Sequence, residues 1–139
     1  IRDYNNDGKP DLISNRPGGM RVWKNVSDST LKFELFTDLL LSKVGQGNSN
    51  VYCIPIDYPV VDDINGDGLV DILAINIHGI YTLFYENIST DPDSFLLETT
   101  NTCWGNFYEN QQNDSIVLGA VCKGGPGGGS SGAQRHSGA

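Results

Sequence analysis

Histidine is nearly missing from this chain. His78 and His136 are the only two in 139 residues, and they lie in different segments with no partner spacing. A histidine metal cluster or a histidine-centred catalytic triad therefore has little to build on. Basic residues are scarce as well: nine Lys and Arg stand against seventeen Asp and Glu, for a net charge of −8. Nucleic-acid binding rests on basic patches, so that class is excluded. Cysteine is limited to Cys53, Cys103 and Cys122. No C-x-x-C pair occurs, which removes zinc-ribbon and thioredoxin-like readings. No apolar run approaches the ~20 residues of a membrane span. Nucleophile motifs are lacking too: Ser137 follows His136 without a G-x-S-x-G context. The run Gly124–Gly132 has no Gly-Lys-Ser/Thr and is not a phosphate loop. Glu86, Glu98 and Glu109 are scattered along the chain rather than paired as glycoside hydrolysis demands. The expectation is a protein without enzymatic activity.

What the chain does have is one acidic pattern, present twice at a spacing of sixty positions. Asp3-Tyr4-Asn5-Asn6-Asp7-Gly8-Lys9-Pro10-Asp11 and Asp63-Ile64-Asn65-Gly66-Asp67-Gly68-Leu69-Val70-Asp71 both read D-x-N-x-D-G-x-x-D. Calcium is a hard cation that takes six to eight oxygen ligands. Side chains at alternate positions of a tight loop can converge on one point. Asp3, Asn5 and Asp7 offer three such oxygens, and Asp63, Asn65 and Asp67 offer the equivalent three. The carbonyls of Lys9 and Leu69 are the natural backbone ligands, and Asp11 and Asp71 close the two sites. Gly8 and Gly68 permit the sharp reversal. Each loop carries three carboxylates and one amide, a formal charge of −3 that a cation would offset. Two divalent ions would halve the net charge of −8, so the acidity reports metal demand. An acidic surface turn is the plainer alternative, because Asn, Asp and Gly are common turn formers. Two copies with the same oxygen positions weigh against it. An EF-hand is excluded: its bidentate Glu at position twelve is replaced by Ser14 and Ala74.

The likeness between the copies continues beyond the loops. Gly18-Gly19 corresponds to His78-Gly79, and Val22–Ser27 to Phe84–Ser89, after a two-residue insertion. Phe33 and Leu35 are matched to Phe95 and Leu97. Apolar, β-branched runs after each loop predict strands. In the second unit these are Ile56–Val61, Asp71–Ile77, Tyr81–Glu86 and Ser94–Glu98; in the first, Asp11–Ser14, Met20–Asn25 and Leu31–Phe36. A unit of about sixty residues with this content matches one four-stranded propeller blade.

The two loops and the units they open resemble FG-GAP/VCBS repeats, the calcium-loop blades of integrin-α-like β-propellers. The resemblance spans roughly residues 1–99. It implies an all-β fold made of about two four-stranded antiparallel blades, the first incomplete because only Ile1 and Arg2 precede its loop. The expected organisation is a partial first blade with its connection over 1–55, a second blade over 56–100, and an inter-blade segment over 101–139. That last segment, with Cys103–Glu109 and Arg135–Gly138, is similar to inter-blade stretches of secreted bacterial proteins. Its Gly-rich run reads as a native loop or an appended linker. The family's ligands fall on Asp3, Asn5, Asp7, the Lys9 carbonyl and Asp11, and on Asp63, Asn65, Asp67, the Leu69 carbonyl and Asp71, for two Ca²⁺ sites.

The expectation is therefore a fragment of a secreted or cell-surface protein that serves adhesion or extracellular recognition. The alternative is an accessory propeller domain of a secreted, for instance polysaccharide-degrading, enzyme. Partners would be an extracellular protein or carbohydrate and the remaining blades of the longer chain. Cys103 and Cys122 bracket the inter-blade loop, and an exported protein would let them pair. Cys53 reads as buried, or as paired outside the chain. Trp23 aligns with Tyr85 and reads as blade packing. Trp104, Phe107 and Tyr108 read as loop packing, or as a stacking surface for a sugar or partner. Asn25-Val26-Ser27, Asn87-Ile88-Ser89 and Asn113-Asp114-Ser115 match the short N-glycan acceptor pattern.

Overall fold

A run such as Asp71-Ile72-Leu73-Ala74-Ile75 can keep consecutive apolar side chains dry only if both faces of the strand are covered. In the computed structural model, which describes residues 1–122, Asp71–Ile75 is such a strand. Ile72 is fully buried, and Leu73 and Ala74 nearly so. The Gly-rich run and Arg135–Gly138, with His136 and Ser137, lie outside the described residues.

The chain is all-β. Its strands are β1 (Leu12–Arg16), β2 (Gly19–Asn25), β3 (Phe33–Thr37), β4 (Leu41–Val44), β5 (Gly47–Asn50), β6 (Val60–Asp62), β7 (Asp71–Ile75), β8 (Thr82–Asn87), β9 (Leu97–Asn101), β10 (Phe107–Asn110) and β11 (Ser115–Leu118). The one helical element among the described residues is a 3₁₀ turn at Trp104–Asn106.

β1-β2-β3 form an antiparallel sheet, and β6-β7-β8-β9 form an antiparallel run within a second. The two are built alike. Arg2 bridges Asp11 as Asp62 pairs with Asp71. A register shift falls between Val22 and Trp23, and again between Phe84 and Tyr85. Among the described residues the first unit has no strand matching β6 beyond that bridge, and β1 is partly exposed.

Two sequence expectations need correction. Strand β6 is confined to Val60–Asp62, while Ile56 and Tyr58 project into solvent at 85% and 95% exposure. Pro55 and Pro59 lack the N–H a ladder requires, and Asp57 donates its amide to the Ile54 carbonyl in a turn. Phe33 matches Leu97 rather than Phe95, since they pair with Asn25 and Asn87 respectively; the second unit's loop is two residues longer. The connection after β3 holds two further strands. β4 and β5 make a hairpin whose β4 lies parallel to β9, Ser42 opposite Leu97, and the second sheet becomes β5-β4-β9-β8-β7-β6. β5 and β6, on either side of residue 55, are thus strands of one sheet.

One core serves both units. Met20 and Val22 of the first pack in the same cluster as Ile72, Tyr85 and Leu97 of the second. Tyr4 joins them, its ring stacked on Phe95 at 5.1 Å and tilted against Phe36 at 5.1 Å. Cys53 is buried within the cluster and unpaired. Cys103 and Cys122 form a disulfide with Cα atoms 5.9 Å apart, well inside the bridging range. It flanks the β10–β11 hairpin, which leans on the second sheet through Tyr108 and Tyr81, rings 6.0 Å apart. No helix among the described residues is long and apolar enough to cross a membrane.

Candidate metal centre

The two acidic loops fold the same way. Position six of each is a glycine in the left-handed region, Gly8 at φ +85° and Gly68 at φ +88°, where a side chain would be strained. Position four is left-handed in both as well, Asn6 at φ 56° and Gly66 at φ 82°. This backbone turns the loop amides inward, and the first acid receives them. Asp3 accepts from the amides of Asp7 (3.1 Å) and Gly8 (2.8 Å). Asp63 accepts from Gly66 (2.7 Å), Asp67 (3.1 Å) and Gly68 (2.9 Å). Asn5 and Asn65 accept from the amides of Asp7 and Asp67, and Asp7 and Asp67 accept from those of Lys9 and Leu69.

Asp11 and Asp71 sit apart from this ring. Both are fully buried beneath their loops. Asp11 accepts from the Tyr4 amide at 3.0 Å with one oxygen and from the Asn25 amide at 2.8 Å with the other. Asp71 does the same with Ile64 at 3.0 Å and Asn87 at 2.8 Å. A carboxylate has about four acceptor sites, so each retains lone pairs. Burial pushes the carboxyl pKa of both above its usual range; the backbone donors oppose this, while neighbouring Asp7 and Asp3, or Asp67, reinforce it.

Asn25 and Asn87 carry a role that sequence reasoning missed. They are buried, at 7% and 2% exposure. Their side-chain amides donate to the carbonyls of Pro10 (2.9 Å) and Val70 (3.0 Å), immediately before the buried acids. Their side-chain oxygens accept from the amides of Ser27 and Ser89, each at 3.0 Å. The serine hydroxyls then accept from Lys32 and Leu96 across the following turn. The triplet N-x-S is thus a latch between the loop and the far end of β2 or β8. At these two positions the glycan-acceptor reading fails, because the nitrogen that would carry a sugar is buried and hydrogen-bonded. The signal was present in the sequence as the same triplet in the same place of both units. Asn113, the third match, lies exposed in the β10–β11 turn.

The donor set fits a hard cation on two grounds. Among the described residues, none of the six loop carboxylates forms an ion pair; the bridges of Arg2, Arg16, Arg21, Lys24 and Lys32 go to Asp62, Asp38, Asp93 and Glu34. The Lys9 and Leu69 carbonyls accept no hydrogen bond from any described residue, although the Pro10 and Val70 carbonyls beside them are both used. The acidic oxygens accept from loop amides, and among the described residues no three Asp, Glu, His or Cys side chains draw together as a tight cluster. The loops are neighbours, with the Asn6 side chain donating to the Gly68 carbonyl at 3.1 Å.

Their surroundings differ in charge. Glu86 stands beside the second loop and accepts from Asn65 at 3.2 Å. Its counterpart in the first unit is Lys24, which pairs with Asp93 at 2.7 Å. The loops also differ at position two: the Tyr4 hydroxyl is buried without a hydrogen-bond partner among the described residues, whereas Ile64 has no such group. Burial, with Asp11, Asp93 and Asp7 nearby, pushes the Tyr4 phenol up to about 12. No family model matches the chain, nor does any curated protein or solved structure.

Proposed function

We propose that this chain is a non-enzymatic, calcium-stabilised segment of a β-propeller, with each loop and the strands after it forming one blade. The observation that carries the reading is the duplication of one loop geometry around carboxylates that form no ion pair among the described residues. Asp3, Asn5, Asp7, the Lys9 carbonyl and Asp11 would hold one Ca²⁺, and Asp63, Asn65, Asp67, the Leu69 carbonyl and Asp71 the other. The metal would supply positive charge where each loop concentrates three carboxylates. The chain contributes the rest: a turned-in backbone, a buried acid beneath each loop, and an asparagine latch that ties it to the next strand. Because such a site is assembled only in the folded chain, metal affinity becomes folding free energy.

The same reading places the protein outside the cell, where free calcium fills weak sites. The Cys103–Cys122 bridge supports it, since disulfides persist in oxidising compartments. The proposed role is adhesion or extracellular recognition through loops of the full propeller.

The test is thermal unfolding with calcium and with chelator. Calcium at about one hundred times its Kd should add about 2.7 kcal/mol per site. Asp67→Ala should remove most of the second loop's share while leaving the first loop's response. Identical melting of calcium-loaded and chelated protein would end the proposal.

A further inference from the structure

The acidic loops precede β1 and β7. Past the other ends of these strands lies a cleft of about 570 Å³, lined by β5, by β8 and by the turns after β1 and β7, and it is a different kind of surface. In a chain of net charge −8, no charged residue among the described ones lines it. Leu83 and Tyr85, two residues apart on β8, line it from one face of the strand, with Tyr52 beside them. Three amide side chains also line it: Asn48 and Asn50 from the edge strand β5, and Asn76 just past the end of β7.

The amides have hydrogen-bonding capacity to spare. Asn50 donates to the Gly18 carbonyl at 2.9 Å, and its oxygen has no donor among the described residues. Asn76 accepts from the amides of Ile80 (3.1 Å) and Tyr81 (3.4 Å), and its NH₂ has no acceptor among the described residues. These bonds also hold both side chains in place, so less freedom is lost on binding. An amide presents a donor pair and an acceptor in one plane, a match for neighbouring hydroxyls. Tyr52 and Leu83, both only partly buried, offer apolar surface to the C–H face of a sugar ring, while Tyr85 is buried at the cleft's floor. The volume lies within the usual range for small-molecule sites, whose lining combines apolar surface with a few placed polar groups.

We infer that this cleft binds a neutral oligosaccharide. An anionic ligand would find no cation in it and a cationic one no carboxylate. The inference does not rest on the metal: cleft and loops lie toward opposite ends of the strands, and the two fail separately.

The experiment is an ¹H–¹⁵N NMR titration of the full chain with cellotriose, maltotriose and triacetylchitotriose, with trigalacturonate as the anionic probe and a neutral Gly/Ser peptide as the protein-like one. Each runs in calcium and in chelator. The expected result is that at least one neutral sugar shifts the side-chain NH₂ signals of Asn48, Asn50 and Asn76, while trigalacturonate and the peptide leave them in place. Asn48→Ala, at an exposed position, and Tyr52→Ala should each weaken that binding about tenfold. Shifts from none of the sugars, shifts lying elsewhere, preference for trigalacturonate or the peptide, or binding retained by both variants would overturn the inference. Loss of calcium-dependent stabilisation alone bears on the metal and not on the cleft.

Discussion

Replacing Asn87 by alanine tests whether the asparagine latch holds the second loop to its sheet. The side chain is 2% exposed. Its NH₂ is the only donor among the described residues to the Val70 carbonyl, at 3.0 Å, and its oxygen takes the Ser89 amide at 3.0 Å. Alanine leaves both groups without their partners. Val70 is buried, so its carbonyl bears a desolvation penalty of about 1–3 kcal/mol. The Ser89 amide is half-exposed and can reach water, which limits that loss to about 1 kcal/mol. The expected cost is about 2–4 kcal/mol, or a fall in Tm of about 6–12 °C for a chain of this size. The backbone amide of Asn87 still serves Asp71, so the fold should survive and the variant should unfold cooperatively. Urea unfolding monitored by circular dichroism, in saturating calcium, measures the difference. Asn25→Ala should fall in the same direction, because its bonds to Pro10 and Ser27 are the same ones. A change within about 0.5 kcal/mol, typical of an ordinary surface site, would show that Asn87 is not a latch.

Two further outcomes follow from differences between the units. Tyr4→Phe removes a buried hydroxyl that has no hydrogen-bond partner among the described residues while keeping the stack on Phe95; stability should rise by about 1 kcal/mol in urea unfolding, and a fall would mean the hydroxyl is satisfied. Glu86→Lys gives the second loop the charge that Lys24 already places at the first; calorimetric titration should show calcium affinity at the second loop falling about tenfold, and unchanged affinity would remove Glu86 from the site's electrostatics.

Much of the strand pattern was legible because it is local. The apolar run of β7, the glycine of each loop and the turn at Gly79 each impose their structure on near neighbours. Prolines at 55 and 59 show the limit of pattern reading: Ile56 and Val60 look like a strand, yet only the part after Pro59 pairs. β4 and β5 were not legible, since Gly47-Asn48-Ser49-Asn50 has no apolar alternation and its hairpin is held by a parallel partner more than fifty residues away. The likeness of Phe33-Glu34-Leu35 to Phe95-Leu96-Leu97 misled for a similar reason. Register is chosen by pairing with Asn25 and Asn87, not by the look of the segment.

The order of residues alone determined where the two acidic loops lie, how each one turns, and that strands follow them, because these depend on groups within a few bonds of one another. It did not determine that Asn25 and Asn87 reach back to the loops, that Tyr4 stacks on Phe95, or that β4 joins β9. Those are meetings of distant residues. They form only when burial of a shared core draws the two units together and leaves each buried polar group to find a partner within the protein.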